Sequence, residues 1–242
     1  MGLLSSVRVA RRVVQLYRAN PPAHGGLQML RHVRARLAGR SPVVTAVLAV
    51  TYRCPARCPH CYAAVGGGDV AGEMSTGEWR ALLDRVRALG AVQVFFTGGE
   101  PLLREDLPDL VAHAHRLGLL TRLCTNGYLL TPALIARLKR AGLNQCGVSI
   151  DDADPGVHDR LRGLPGAFAR AVEAFGLLRG QGIDRRVLVY ASRDRIPGGL
   201  ERIVELATRL RVGTVHVNIP FAVGRWAGNS DAVLSGEEMA SL

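Results

Sequence analysis

Three cysteines fall within eight residues, Cys54, Cys58 and Cys61, in a Cys-Pro-Ala-Arg-Cys-Pro-His-Cys run that directly follows the apolar stretch Val43 to Val50. Thiolates are soft ligands that select zinc, copper(I) or iron–sulfur clusters, and cysteines crowded into one loop hold an iron–sulfur cube. Three thiols cannot serve four irons. One iron would keep an open position, by the logic that separates open catalytic metal sites from closed structural ones. A structural zinc site takes four protein ligands, and His60, wedged between Cys58 and Cys61, is poorly placed to be the fourth. A disulfide would strand one of the three thiols.

Further along, four short segments carry groups suited to a small polar ligand. Gly98 and Gly99 let backbone come close without Cβ interference, and Glu100 beside them offers acceptors for an ammonium group. Thr125, Asn126 and Gly127 supply short polar side chains and a permissive glycine, while Ser149 and Asp151 put a hydroxyl and a carboxylate on one strand face. A turn and a strand-end cap are the plain alternatives for these two segments. The run His158-Asp-Arg-Leu-Arg162-Gly163 offers a guanidinium fork matched to carboxylates.

With these motifs in this order, the chain resembles the radical S-adenosylmethionine (SAM) superfamily. The C-x3-C-x2-C loop after a first strand is that family's signature, with His60 in the place of the aromatic ring that usually precedes the third cysteine. The resemblance implies a [4Fe–4S] cluster held by Cys54, Cys58 and Cys61, with SAM chelating the open iron. It implies that Gly98, Gly99 and Glu100 hold the amino end of SAM, that Thr125, Asn126, Ser149 and Asp151 reach its carboxylate and ribose, and that Arg162 approaches the carboxylate. Where the family has a glycine after Ser-x-Asp, this chain has Asp152, a departure that bears on the ribose contact. The implied chemistry is reductive cleavage of SAM to a 5′-deoxyadenosyl radical that abstracts hydrogen from a substrate, with an external donor such as flavodoxin or ferredoxin. No catalytic side chain is assigned.

Those segments need a frame. Val43–Val50, Val92–Phe96, Leu119–Cys124, Gln145–Ile150, Arg186–Ala191 and Thr214–Ile219 read as strands, separated by helices that end at Gly90, over Glu105–Leu117, from Thr131 to Gly142, over Ala167–Leu178 and over Leu200–Leu210. Crossovers of that length require parallel pairing. The class is therefore α/β, and the resemblance implies a six-stranded (βα)6 partial TIM barrel with an N-terminal helical extension. In such sheets the functional loops gather at the carboxyl ends of the strands, which puts all the segments named above on one rim. The expected division is a basic helical extension over 1–41, a core over 42–220 and a short terminal segment over 221–242.

Composition narrows the partners. Apolar content of 48% supports a sizeable core. Five cysteines, three of them clustered, suit a reducing cytosol and a metal site rather than a secreted disulfide framework. The net charge of +11 is local: ten arginines and no acidic residue lie between Met1 and Gly68, and removing them leaves 21 basic against 20 acidic residues. A nearly neutral core argues against specific nucleic-acid binding. The stripe Leu4, Val7, Ala10, Val14 and Tyr17 makes residues 1–20 a basic amphipathic helix, which could lie weakly on an anionic membrane or pack against protein. Cys124, Cys146 and His216 read as ordinary strand side chains.

The tail, Pro220-Phe-Ala-Val-Gly-Arg225 and then Leu234-Ser-Gly-Glu-Glu238, resembles SPASM and related members, in which a cysteine-rich domain follows. No cysteine follows Cys146, so the expectation is a shortened chain without an auxiliary cluster. The resemblance points to a peptide or tetrapyrrole substrate. The alternatives are a membrane lipid substrate, or a non-catalytic iron–sulfur or zinc scaffold.

Overall fold

The computed structural model describes residues 34, 38–39, 43–63, 72–193, 196–219, 222–227 and 234–237. The expected helix at 1–20 and the rest of the 1–41 extension fall outside the described residues apart from isolated positions, and of the expected 221–242 segment residues 222–227 and 234–237 are described. The elements are β1 Thr45–Thr51, α1 Thr76–Ala88, β2 Gln93–Gly98, α2 Leu107–Arg116, β3 Leu120–Thr125, α3 Pro132–Arg140, β4 Gln145–Ser149, α4 Pro155–Arg162, α5 Ala167–Leu178, β5 Asp184–Tyr190, α6 Ile196–Arg209 and β6 Val215–Asn218. The strands pair in consecutive order and all are parallel. This is the partial (βα)6 barrel.

Crossovers between parallel strands are right-handed, so consecutive strands carry their helices on one face. The core lies there. Val94, Phe96, Leu123, Val148 and Val187 from alternate strand positions pack with Leu83, Leu110, Ile135, Phe175 and Ile203 from the helices. Each such side chain, once removed from water, contributes roughly 1.5–3 kcal/mol. The other face, which carries Val47, Phe95, Arg122, Cys124, Gln145, Gly147, Ser149, Arg186, Leu188, Tyr190 and His216 by strand alternation, has no described helix over it.

Local chemistry fixes where the helices begin. Ser75 and Glu78 form a reciprocal capping box at α1, and Thr131 caps α3 with Pro132 at its first position. Helix α4 was not anticipated from periodicity, because its eight residues are mostly polar. Its ends are nonetheless encoded: Asp154 accepts from the Val157 N–H at 2.8 Å, Pro155 opens the helix, and Gly163 closes it at φ +55°. No described helix is long and apolar enough to cross a membrane.

Candidate functional site at the carboxyl rim

The cysteine loop leaves β1 at Thr51 and is held from below by β2. The Gly99 N–H donates to Thr51 O at 2.7 Å and the Glu100 N–H to Arg53 O at 2.8 Å. This crossing is where the two glycines are needed. A Cβ on Gly98 would lie 2.1 Å from Thr51 O, and one on Gly99 would lie 2.3 Å from Arg53 O and 2.7 Å from Tyr52 O. The approach that these glycines permit is therefore to the cysteine loop's own backbone, in addition to any role toward a ligand.

Glu100 is fully buried and its carboxylate joins two loops. Oε1 accepts from the Leu102 N–H at 3.1 Å and from the Thr125 hydroxyl at 2.7 Å, and Oε2 accepts from the Asn126 N–H at 2.8 Å. Burial pushes its pKa up to about 7 despite these donors. Asn126 spends its own oxygen on the Tyr128 N–H, at 2.8 Å, as an Asx turn. One lone-pair position on Oε2 remains for a ligand. Glu100, Thr125 and Asn126 are thus brought together as expected, with Glu100 as the post between the β2 and β3 loops.

A second group gathers around Asp151, which follows β4 and is fully buried. Its Oδ1 accepts from the Tyr190 N–H at 3.1 Å, and its Oδ2 lies 2.9 Å from Arg162 Nη2 and 3.1 Å from His60 Nε2. Burial opposes ionisation, yet the Arg162 guanidinium and then His60 hold this carboxyl well below the usual carboxylate range. The Asp151 N–H donates to His158 Nδ1 at 3.1 Å, and burial keeps His158 neutral with a pKa of about 4. Arg162 continues to the cysteine loop: its Nη1 stands 3.9 Å from Cys58 Sγ, its carbonyl accepts from Cys58 Sγ at 3.6 Å, and from the Arg57 N–H at 2.9 Å. The arginine expected at the SAM carboxylate is placed between Asp151 and the Cys58 sulfur. Ser149 ends β4 on the helix-free face, half-buried.

His60 is buried beside the third cysteine, with ring centroids 5.0 Å from Tyr190 and 5.8 Å from Trp226. Sequence reasoning missed Tyr190, Trp226, His158 and Arg225 as parts of this arrangement. Arg225 Nη1 donates to Cys58 O at 2.9 Å and the Arg225 N–H to Cys61 O at 3.1 Å. Gly224, at φ +62°, passes so close that a Cβ would lie 2.2 Å from Cys61 O. The signal for this brace was the Gly224-Arg225 pair in the tail motif. Tyr62, next to Cys61, bonds through its hydroxyl to Thr97 Oγ1 at 3.1 Å.

The three thiols are free, and they sit at graded depth, Cys54 exposed, Cys61 intermediate and Cys58 buried. Burial pushes Cys54 up to about 11 and raises Cys58, so both are thiols until a cation compensates the thiolate. An all-sulfur donor set on one loop fits an iron–sulfur cube. Among the described residues no three His, Cys, Asp or Glu side chains, these cysteines included, are drawn together closely enough to close on a single ion, so the fit to a cube rests on donor chemistry and loop spacing. Nearby, His60 Nδ1 and Nε2, Asp151 Oδ2 and Arg162 Nε are buried without an aligned hydrogen-bond partner, which fits a rim built to receive a polar ligand.

The fold and this rim define a class, an α/β half-barrel with a three-cysteine loop after its first strand. A family model for the radical SAM superfamily matches residues 48–217. The AdoMet-dependent heme synthase of Nitratidesulfovibrio vulgaris is 36% identical over 189 residues, 78% of this chain and 51% of that protein. The PqqA peptide cyclase of Xanthomonas axonopodis pv. citri is 36% identical over 167 residues, 68% of this chain and 45% of that protein. In fold, the crystal structure of Streptococcus suis SuiB bound to SAM matches with a TM-score of 0.66 at 16% identity, over 86% of this chain and 50% of that one. The chain belongs to the radical SAM superfamily, whose members are enzymes that use SAM and a [4Fe–4S] cluster. It spans about half the length of the curated relatives it matches.

Proposed function

We propose that Cys54, Cys58 and Cys61 hold a [4Fe–4S] cluster, and that SAM lies along the rim beside it. The observation that carries this is one loop bearing three free thiols and braced from three sides: by Gly98-Gly99 from β2, by Arg162 from α4 and by Gly224-Arg225 from the tail. Bound there, the cluster and SAM would supply reductive cleavage and a hydrogen-abstracting 5′-deoxyadenosyl radical. The chain's own residues do the placing. Glu100 offers its remaining acceptor position to the SAM ammonium, with Thr125 and Asn126 fixing its orientation. Gly98 and Gly99 set the height of the loop, and Ser149 and Asp151 stand at the ribose side. His60, Tyr190 and Trp226 exclude water behind the third cysteine.

The substrate is a peptide or a tetrapyrrole, a reading supported by the names of the relatives and by SuiB having been solved with its precursor peptide SuiA. A flavodoxin or ferredoxin supplies the electron. Residues 42–220 act as the catalytic core, flanked by the basic 1–41 extension and the 221–242 segment, in a reducing cytoplasm. Anaerobic reconstitution with iron and sulfide tests the proposal. We expect four irons per chain, 5′-deoxyadenosine on addition of SAM and dithionite, and loss of both in Cys54→Ala, Cys58→Ala or Cys61→Ala. Stoichiometric zinc without SAM binding would replace the enzyme with a scaffold.

A further inference from the structure

The helix-free face of the sheet carries a feature that the rim does not use. Arg122, at the middle of β3, is 7% exposed and lies with its guanidinium carbon 5.1 Å from the centre of the Phe95 ring. Strand register sets Phe95, Arg122, Gln145 and Asp184 in one row across β2 to β5, with Arg186 on the next row of the same face and His216, paired with Leu188, on the row after that. The acid in that row is already engaged: Asp184 accepts from Gln145 Nε2 at 2.5 Å and from Arg186 Nε at 3.2 Å. Among the described residues, Arg122 has no hydrogen-bond acceptor and no carboxylate within ion-pair distance, although its nitrogens still reach solvent.

A guanidinium in that position is only partly compensated by the Phe95 ring and the field of Asp184, and an arriving anion would complete the compensation. Burial, with Arg186 next to it, weakens its hold on the proton to a pKa of about 10. Partial desolvation of the ring, and then Arg186 and Arg122, disfavour the charged form of His216. Three nitrogen-bearing side chains therefore face a space with one committed acid. A single free fork beside a phenyl ring suits a planar, singly charged group.

We propose that Arg122, flanked by Arg186 and His216, forms a subsite on the helix-free face that holds a carboxylate of the substrate. The proposal rests on the enzyme reading above, and it narrows the substrate to one with an acidic group that docks below the reacting carbon. The test uses radiolabelled glutarate in equilibrium dialysis against the reconstituted, SAM-loaded protein, with glutaramide and inorganic phosphate as competitors. Glutarate should bind, and neither competitor should displace it at equal concentration. Arg122→Gln should weaken glutarate about tenfold or more, and His216→Gln and Arg186→Gln a few-fold each. SAM affinity should stay unchanged in all three. Should Arg122→Gln fail to fold, the other two variants carry the test, since His216 is exposed. Glutarate binding that is absent, matched by glutaramide or phosphate, or unaffected by every variant overturns the subsite. Failure of the wild type to make 5′-deoxyadenosine overturns the enzyme reading, whatever glutarate does.

Discussion

Replacing Asp151 with asparagine keeps the shape of a fully buried side chain and removes its charge. In the wild type, Oδ2 stands 2.9 Å from Arg162 Nη2 and 3.1 Å from His60 Nε2, so one carboxylate neutralises a guanidinium whose side chain is 10% exposed. The amide can retain the 3.1 Å contact from the Tyr190 N–H through its oxygen, but its NH2 then faces the Arg162 donors. Removing one member of a buried ion pair costs about 3–5 kcal/mol, because the survivor is left charged and unsolvated. Asp151→Asn should lose that amount in urea unfolding at pH 7 under reducing, metal-free conditions. Removing both charges should recover most of it. Asp151→Asn/Arg162→Met should lie within about 2 kcal/mol of wild type, a coupling far outside the ~0.5 kcal/mol scatter of independent sites. Because Asp151 is held below the usual carboxylate range, its contribution is present at neutral pH and disappears as pH falls below about 4. A single-variant cost under about 1 kcal/mol, or strict additivity in the double variant, would refute the network as the organiser of the rim.

Three further outcomes follow from the same geometry. Gly99→Ala puts a methyl 2.3 Å from Arg53 O, so the cysteine loop must shift; stability should fall by about 1–3 kcal/mol and bound iron per chain should drop. Glu100 and His158 oppose each other in pH. Glu100, near 7, retains a proton that the unfolded chain releases, so its contribution declines as pH rises from about 4.5 to 7; His158, near 4, stays neutral while the unfolded chain gains a proton below about 6.5, so its contribution declines as pH falls. Glu100→Gln should therefore expose a loss of roughly 2 kcal/mol between pH 6.5 and 5 that the wild type masks, and a parallel slope in both proteins would count against it. Arg225→Ala removes the 2.9 Å bond to Cys58 O and should cost about 1 kcal/mol, with faster loss of cluster absorbance in air than in wild type.

Local patterns revealed the frame, and long-range contacts carried what they missed. All six strand ranges read from alternation agree with the structure to within two residues at either end. The start of β5 at Asp184 was read late because Asp184, Arg185 and Arg186 are polar, a consequence of a strand that begins at the surface and faces the helix-free side. The cysteine loop, Glu100 and Asn126 were visible as motifs, but the partner of each side chain was not. Arg162 meets Cys58 across 104 residues, and Arg225 meets the same residue across 167. A guanidinium after β4 looks the same in sequence whether it serves a ligand's carboxylate or Asp151. Trp226 and Tyr190 were passed over for the same reason, since their closeness to His60 exists only once β5 and the tail have closed on the loop.

The turn at Gly224–Trp226 that rests on Cys58 and Cys61 also dictates an order of assembly. Ribosomes deliver the thiols well before this buttress, since Arg225 follows Cys58 by 167 residues, so a nascent chain displays the cysteine loop for many seconds before the turn can close on it. Iron delivered during that interval would meet a cradle missing one wall. On the proposed reading, loading would be expected to follow synthesis through Arg225, when the loop gains that wall.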